Sequence, residues 1–166
     1  MRAARSSTLV SAIVFSALAL SATSTAPAAA ESLAGQASVI DGDTVEIHGQ
    51  RIRLFGIDAV ESRQRCSRGG KQWNCGKDSA FALADRIGRS AIDCRGVERD
   101  RYDRLVAVCF KGSEDLNRWM VEQGWAVAYR RYSMDYVKAE EAAKAAGRGL
   151  WSGSFEMPWD WRKTAR

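Results

Sequence analysis

The chain has 166 residues, 25 basic side chains against 20 acidic ones, a formal net charge of +5 and a single histidine. One histidine excludes chemistry built on paired imidazoles. The mild positive charge permits a nucleic-acid partner without demanding one, and no internal repeat or low-complexity segment is present after residue 30.

Residues 1–30 read as a cleavable export signal. Arg2 and Arg5 form a basic start with no acidic residue, Leu9 to Leu20 is an apolar run broken only by Ser11 and Ser16, and Ala28-Ala29-Ala30 supplies a small-residue cleavage pattern. A spanning helix needs about 20 apolar residues, and this run is shorter, which disfavours a membrane anchor. Cleavage after Ala30 leaves Glu31–Arg166, a single domain of 136 residues with room for its own core. Without Arg2 and Arg5, 23 basic residues stand against 20 acidic ones, a net charge of +3. Such a chain is expected in the periplasm or the medium, as a monomer free of the membrane.

The first β-patterned runs are Val39–Ile47 and Arg51–Ile57, split by a His48-Gly49 turn with Glu46 and Arg51 opposed near its tip. Ser62–Lys77 is a polar loop. Asp78–Arg89 fits a helix with Phe81, Ala84 and Ile87 on one face and Gly88 near its end. Ala91–Glu98 and Leu105–Phe110 form a second hairpin. Ser113 can cap a helix Asp115–Gln123 that buries Leu116, Trp119 and Met120, and Gly124 ends it. Trp125–Tyr129 is a short strand. Ser133 can cap a third helix through Ala146, carrying Glu140 and Lys144 as an i,i+4 pair. Leu150–Trp161 is a Trp-rich tail read as packing.

The four cysteines show no C-x-x-C knuckle, which argues against structural zinc. An even count in an exported chain favours two disulfides. If the second hairpin turns on Arg101-Tyr102 without a bulge, Val97 faces Val106 and Cys94 faces Cys109. Cys66–Cys75 is then left to close the polar loop. Five short strands with about three helices point to an α+β chain folded as a five-stranded OB barrel, a scaffold that often binds oligonucleotides.

The chemistry concentrates between Ile40 and Glu61. Asp43, Asp58 and Glu61 stand at the ends of the two β-runs with Arg53 inside the second, and a further arginine follows in Asp100-Arg101-Tyr102-Asp103-Arg104. A hard cation needs oxygen ligands, an attacking water needs a base, and a charged phosphorus transition state needs guanidinium forks. Taken singly, Asp-Gly-Asp is an ordinary turn and each arginine an ordinary solvated charge. Jointly they point to a metal-dependent nuclease.

The same residues resemble the thermonuclease, or staphylococcal-nuclease-like, family. Ile40-Asp-Gly-Asp-Thr-Val45, Arg53-Leu-Phe-Gly-Ile-Asp-Ala-Val-Glu61, Tyr102-Asp-Arg104, Leu116-Asn117 and Val121–Gly124 carry the likeness, and Leu150-Trp-Ser152 resembles the end of the family's last helix. The resemblance implies a calcium-dependent endonuclease acting on DNA and RNA and leaving 3′-phosphate and 5′-hydroxyl ends. It implies Asp43, Asp58 and the Ala59 carbonyl as calcium ligands, Glu61 as general base, and Arg53 and Arg104 as phosphate-binding arginines. Tyr102 and Tyr129 match positions that contact the substrate. Val60 stands where many members have proline, which removes a constraint from the Glu61 loop, and Asp103 replaces a glycine beside Arg104. Two other readings are weaker. A non-catalytic nucleic-acid module of this kind lacks the carboxylate and arginine set that is present here, and a calcium-stabilised envelope protein has no use for the two arginines.

Overall fold

The computed structural model describes residues 31–165, so the export signal expected at residues 1–30 lies outside the described residues. The strands are β1 (Ser32–Asp41), β2 (Thr44–Ile47), β3 (Gln50–Leu54), β4 (Ile57–Ala59), β5 (Cys66–Arg68), β6 (Lys71–Trp73), β7 (Ala91–Arg99), β8 (Leu105–Lys111), β9 (Glu114–Asp115) and β10 (Ala126–Ala128). The helices are α1 (Cys75–Ile87), α2 (Leu116–Glu122), α3 (Val137–Ala145) and α4 (Pro158–Thr164), with a 3-10 turn at Gly149–Ser152.

The order β3-β2-β1-β7-β8 is closed by a parallel pairing of β3 with β8, giving the expected five-stranded OB barrel. β1 makes closure possible because it serves two neighbours in turn. Ser32–Gln36 pairs with β7, Ala37–Asp41 pairs with β2, and a register shift lies between Val39 and Asp41. A bulge bends its strand and sharpens the twist, as a closing sheet requires. Alternate residues then point inward. Val45, Ile47, Ile52, Leu54, Ile92, Cys94, Ala107 and Cys109 fill the barrel, and Leu83 and Ile87 of α1 with Leu116 and Met120 of α2 extend the same core.

Several elements differ from the expectation. The run Val39–Ile47 is not one strand, since the Asp41-Gly42-Asp43 turn folds β2 back on β1. The expected turn at His48-Gly49 does form, with φ of 50° and 77°, the left-handed pair that a two-residue hairpin turn needs. The polar loop contains the small hairpin β5–β6, and α1 starts earlier, at Cys75. Its buried face is Ser79, Leu83 and Ile87. Phe81 points to solvent, 54% exposed, with Lys77 over its ring. Asp115 rather than Ser113 caps α2, accepting from the Arg118 amide at 2.8 Å. Ser133 makes a turn with Asp135, and α3 begins only at Val137. Glu140 does not reach for Lys144. It is buried, accepts from the Ala128 amide at 2.9 Å and pairs with Arg130 at 2.6 Å, tying α3 to β10. A fourth helix, α4, occupies the Trp-rich tail.

Both expected disulfides are formed, Cys66–Cys75 and Cys94–Cys109. The hairpin argument reached the second by two deviations that cancel. The loop spans residues 100–104 instead of two residues, and Val97 bulges out between Gly96 and Glu98, so Glu98 rather than Val97 faces Val106. Beyond the bulge the register returns to Cys94 opposite Cys109. Both cysteines are fully buried across a core hairpin. Replacing both by alanine is therefore expected to cost about 3 kcal/mol in the loop-entropy account, read from the midpoint of urea unfolding. An unchanged midpoint would show that this bridge does not constrain the unfolded chain.

Candidate active site

Asp43 owes its position to a tight turn. Asp41 Oδ1 accepts from the Asp43 amide at 3.0 Å, a short local bond that Asp favours in turns. A Cβ added to Gly42 would lie 2.1 Å from Ser79 Oγ and 2.7 Å from the Ala59 side chain, so only glycine lets the turn press against α1 and β4. Asp43 then accepts from the Ala59 amide at 2.9 Å through Oδ2, and from the Thr44 hydroxyl at 3.1 Å through Oδ1.

Arg53 lies opposite Thr44 on the neighbouring strand. Its guanidinium spans two carboxylates, donating from Nη1 to Asp43 Oδ1 at 3.0 Å and from Nη2 to Asp58 Oδ1 at 2.8 Å. Asp58 sits on β4, which pairs antiparallel with β10 and places Asp58 opposite Val127. Asn117 anchors the preceding turn, donating to the Phe55 carbonyl at 2.9 Å and the Ala107 carbonyl at 3.1 Å. Asp43 is 4% exposed and Asp58 is fully buried. Burial pushes both carboxyls above their usual range, against the pull of Arg53 on Asp43 and of Arg162 on Asp58. For the Arg53 guanidinium, burial is outweighed by Asp43 and Asp58, and its proton is held more tightly than usual.

Glu61 leaves β4 through Val60, which is buried against Cys66, Cys75 and Leu150. Gln64, itself buried, accepts from the Glu61 amide at 3.2 Å and returns its own amide to the Glu61 carbonyl at 2.7 Å. Its side chain also donates to the Glu156 carbonyl at 2.6 Å. The constraint that a proline would supply at position 60 is thus replaced by packing, a disulfide and a buried glutamine.

Arg104 closes the loop after β7. Its Nε donates to Asp100 Oδ2 at 2.8 Å, and its amide and that of Tyr102 share Asp100 Oδ1. Partial burial works to raise the Asp100 carboxyl, but these bonds hold it below its usual range. Asp103, in the place of a family glycine, has φ 59°. It pairs with Arg99 at 3.2 Å, while Arg104 pairs with Asp100. Tyr102 is 65% exposed beneath the Arg101 and Arg104 guanidinium groups.

These groups meet in one cleft of about 720 Å3, lined by Asp43, Arg53, Ala59, Glu61, Arg104 and both Tyr102 and Tyr129 among others, with Asp58 buried beneath. Tyr129 does not present a free ring to it. Its face is stacked on Trp159 at 5.7 Å and 9°, and Tyr132 tilts against it at 5.0 Å.

The largest addition to the expected set is Arg162 on α4. Its fork donates to Asp58 Oδ2 at 2.6 Å and Asp58 Oδ1 at 3.1 Å, and to Glu61 Oε1 at 2.7 Å. Burial works against its charge, yet Asp58 and Glu61 hold the guanidinium proton more tightly than usual. No spacing rule links Arg162 to a carboxylate 104 residues away. The only signal in the sequence is the basic pair Arg162-Lys163 beside two tryptophans.

The donor set fits a hard divalent cation. Two buried carboxylates leave negative charge that burial penalises and that Arg53 and Arg162 offset here. Among the described residues no cluster of three or more His, Cys, Asp or Glu side chains could hold a metal ion. Asp43 and Asp58 could supply an ion with two carboxylates, leaving its other positions to water, which suits a flexible, partly hydrated coordination sphere.

Fold and site together define a barrel of the nuclease class. The chain belongs to the staphylococcal nuclease family: residues 51–153 match the family model described as staphylococcal nuclease homologue. That span holds Arg53, Asp58, Glu61 and Arg104, while Asp43 precedes it and α4 follows it. The chain is 43% identical to the succinoglycan biosynthesis protein ExoI of Rhizobium meliloti over 132 residues, covering 77% of this chain and 69% of that one. It is 33% identical to an uncharacterized endonuclease of Haemophilus influenzae, covering 75% and 70%. It is 30% identical to micrococcal nuclease of Shigella flexneri, covering 77% and 79%.

Proposed function

We propose that this protein is an exported, monomeric, calcium-dependent endonuclease that hydrolyses phosphodiester bonds in DNA and RNA and leaves 3′-phosphate and 5′-hydroxyl ends. The observation that carries the reading is the single fork of Arg53 across Asp43 and Asp58, in a cleft shared with Glu61 and Arg104. Two disulfides are in keeping with an oxidising compartment, and no helix among the described residues is long and apolar enough to cross a membrane.

Each residue has a distinct task. Asp43, Asp58 and the Ala59 carbonyl would hold calcium, which supplies Lewis-acid and templating chemistry at the phosphate. Glu61 orients a water in line with phosphorus and takes its proton as the new P–O bond forms and the P–O bond to the 5′ oxygen breaks; that oxygen leaves as the hydroxyl by taking a proton from solvent, and Glu61 returns its own to solvent. Arg53 and Arg104 donate to the non-bridging oxygens and strengthen as charge gathers there. Arg162 must release Asp58 and Glu61 for either to serve.

Incubation of Glu31–Arg166 with single-stranded DNA, duplex DNA and RNA tests this, in calcium, magnesium or chelator. Cleavage of all three in calcium is expected, with new 5′ ends that accept phosphate directly from a polynucleotide kinase. Little cleavage is expected in magnesium, which demands tight octahedral geometry and sheds water reluctantly. Full activity in chelator, or none on any substrate in calcium, would falsify the reading.

A further inference from the structure

Beside the main cleft runs a second groove of about 460 Å3, lined by Arg101, Tyr129, Arg131, Trp159, Arg162 and Lys163. It shares Arg101, Tyr129, Arg131 and Arg162 with the cleft, so the two are continuous. Four of its six residues are cationic, two are aromatic and none is acidic. Among the described residues the only carboxylate partnering its outer cations is Asp160, paired with Lys163 at 2.8 Å on the exposed side of α4. The catalytic reading assigns no role to Trp159 or Lys163, and both lie beyond the span matched by the family.

We propose that this groove is a binding subsite for single-stranded nucleic acid, taking the nucleotides next to the one being cleaved. This rests on the nuclease reading and names where the strand continues. Charge decides the class of occupant, because a groove of cations with no acidic lining complements a polyphosphate backbone. The aromatic stack decides its form. Tyr129 has one face covered by Trp159, so the stacking surface expected at Tyr129 is carried outward to the indole. Trp159 is half-buried and lines the groove, so the indole offers the groove an aromatic surface for a base. Stacking on an aromatic side chain requires an unpaired base, and every base has a face to offer. The subsite therefore favours single strands without selecting sequence, and α4 is the element that builds it.

The test is equilibrium binding of fluorescein-labelled oligothymidylates of two and of six nucleotides, in calcium, to protein carrying Glu61→Gln so that the probes survive. The longer probe is expected to bind more tightly. Trp159→Ala should weaken the longer probe by about tenfold, with a much smaller effect on the shorter one, and Trp159→Tyr should restore most of the loss. Arg131→Gln lies off α4 and reads the groove even where Trp159→Ala loosens the helix. It should weaken the longer probe and flatten its salt dependence by about 0.7 in log–log slope. Equal affinity for the two probes, equal losses on both, or no loss with Arg131→Gln overturns the subsite. Failure of the parent protein to bind either probe, together with failure of the unsubstituted chain to cut, overturns the nuclease reading itself.

Discussion

Glu61→Gln is expected to lower cleavage by about 10²–10⁴, the range a positioned general base supplies, while calcium affinity in the presence of a nucleotide changes little. The reason is where Glu61 stands. Its backbone is held by Gln64 and, among the described residues, its carboxylate is bound only by Arg162, whereas Asp43 and Asp58 are linked to one another through Arg53. Glutamine preserves size and hydrogen bonding but accepts no proton. Asp43→Asn should instead damage calcium binding itself, and cleavage with it, because removing one carboxylate takes a formal charge from a site that has few. Arg162→Gln should strengthen ion binding, since it clears a guanidinium from both oxygens of Asp58. Calorimetric titration of calcium into the three variants, alongside cleavage rates, separates these effects. If Glu61→Gln abolishes calcium binding, Glu61 is a ligand first and the assignment of the base is wrong.

The part of the site that was legible in the sequence is the part that is local. Asp43, Arg53, Asp58 and Glu61 fall within one short stretch of the chain, where their joint occurrence and the family resemblance single them out, although the run Val39–Ile47 reads as one strand and does not by itself show the Asp-Gly-Asp turn inside it. Arg104 was reached through the motif around Tyr102, since nothing in its own spacing points to Arg53. What was missed depends on contacts between distant segments. Phe81 is as apolar as Leu83, and only the packing of α1 on the barrel decides that Leu83 goes inward. Glu140 and Lys144 have ideal helical spacing, yet the unpaired amide of Ala128 and the nearby Arg130 make a stronger claim on that carboxylate. Arg162 is the extreme case. Its tail has no long period to mark a helix, and its partners are a strand residue and a loop residue near the other end of the domain.

Arg53→Lys should lower turnover by about 10²–10³ and should also destabilise the fold, whereas Arg104→Lys should lower turnover without the second effect. The two arginines are equivalent in charge but not in surroundings. Arg53 is mostly buried and its two terminal nitrogens satisfy two carboxylates that face away from water. A lysine ammonium is a point charge with no planar fork, so it can serve one carboxylate and takes one charge-assisted bond from the other, which keeps its remaining donors, at about 1–3 kcal/mol. Arg104 pairs with Asp100 in a surface loop, where a lysine can still reach the same partner and the loss should stay below about 1 kcal/mol. Urea midpoints and kcat on single-stranded DNA, measured on both variants, decide the matter. Near-normal kcat in both with unchanged circular dichroism would mean that neither fork meets the phosphate. A fall in kcat for Arg53→Lys alone, tracking its loss of stability, would mean that Arg53 organises Asp43 and Asp58 without touching substrate. The separation between the two variants therefore tests a point specific to this site, that one guanidinium is both the counter-charge of the buried carboxylates and a donor to the reacting phosphate.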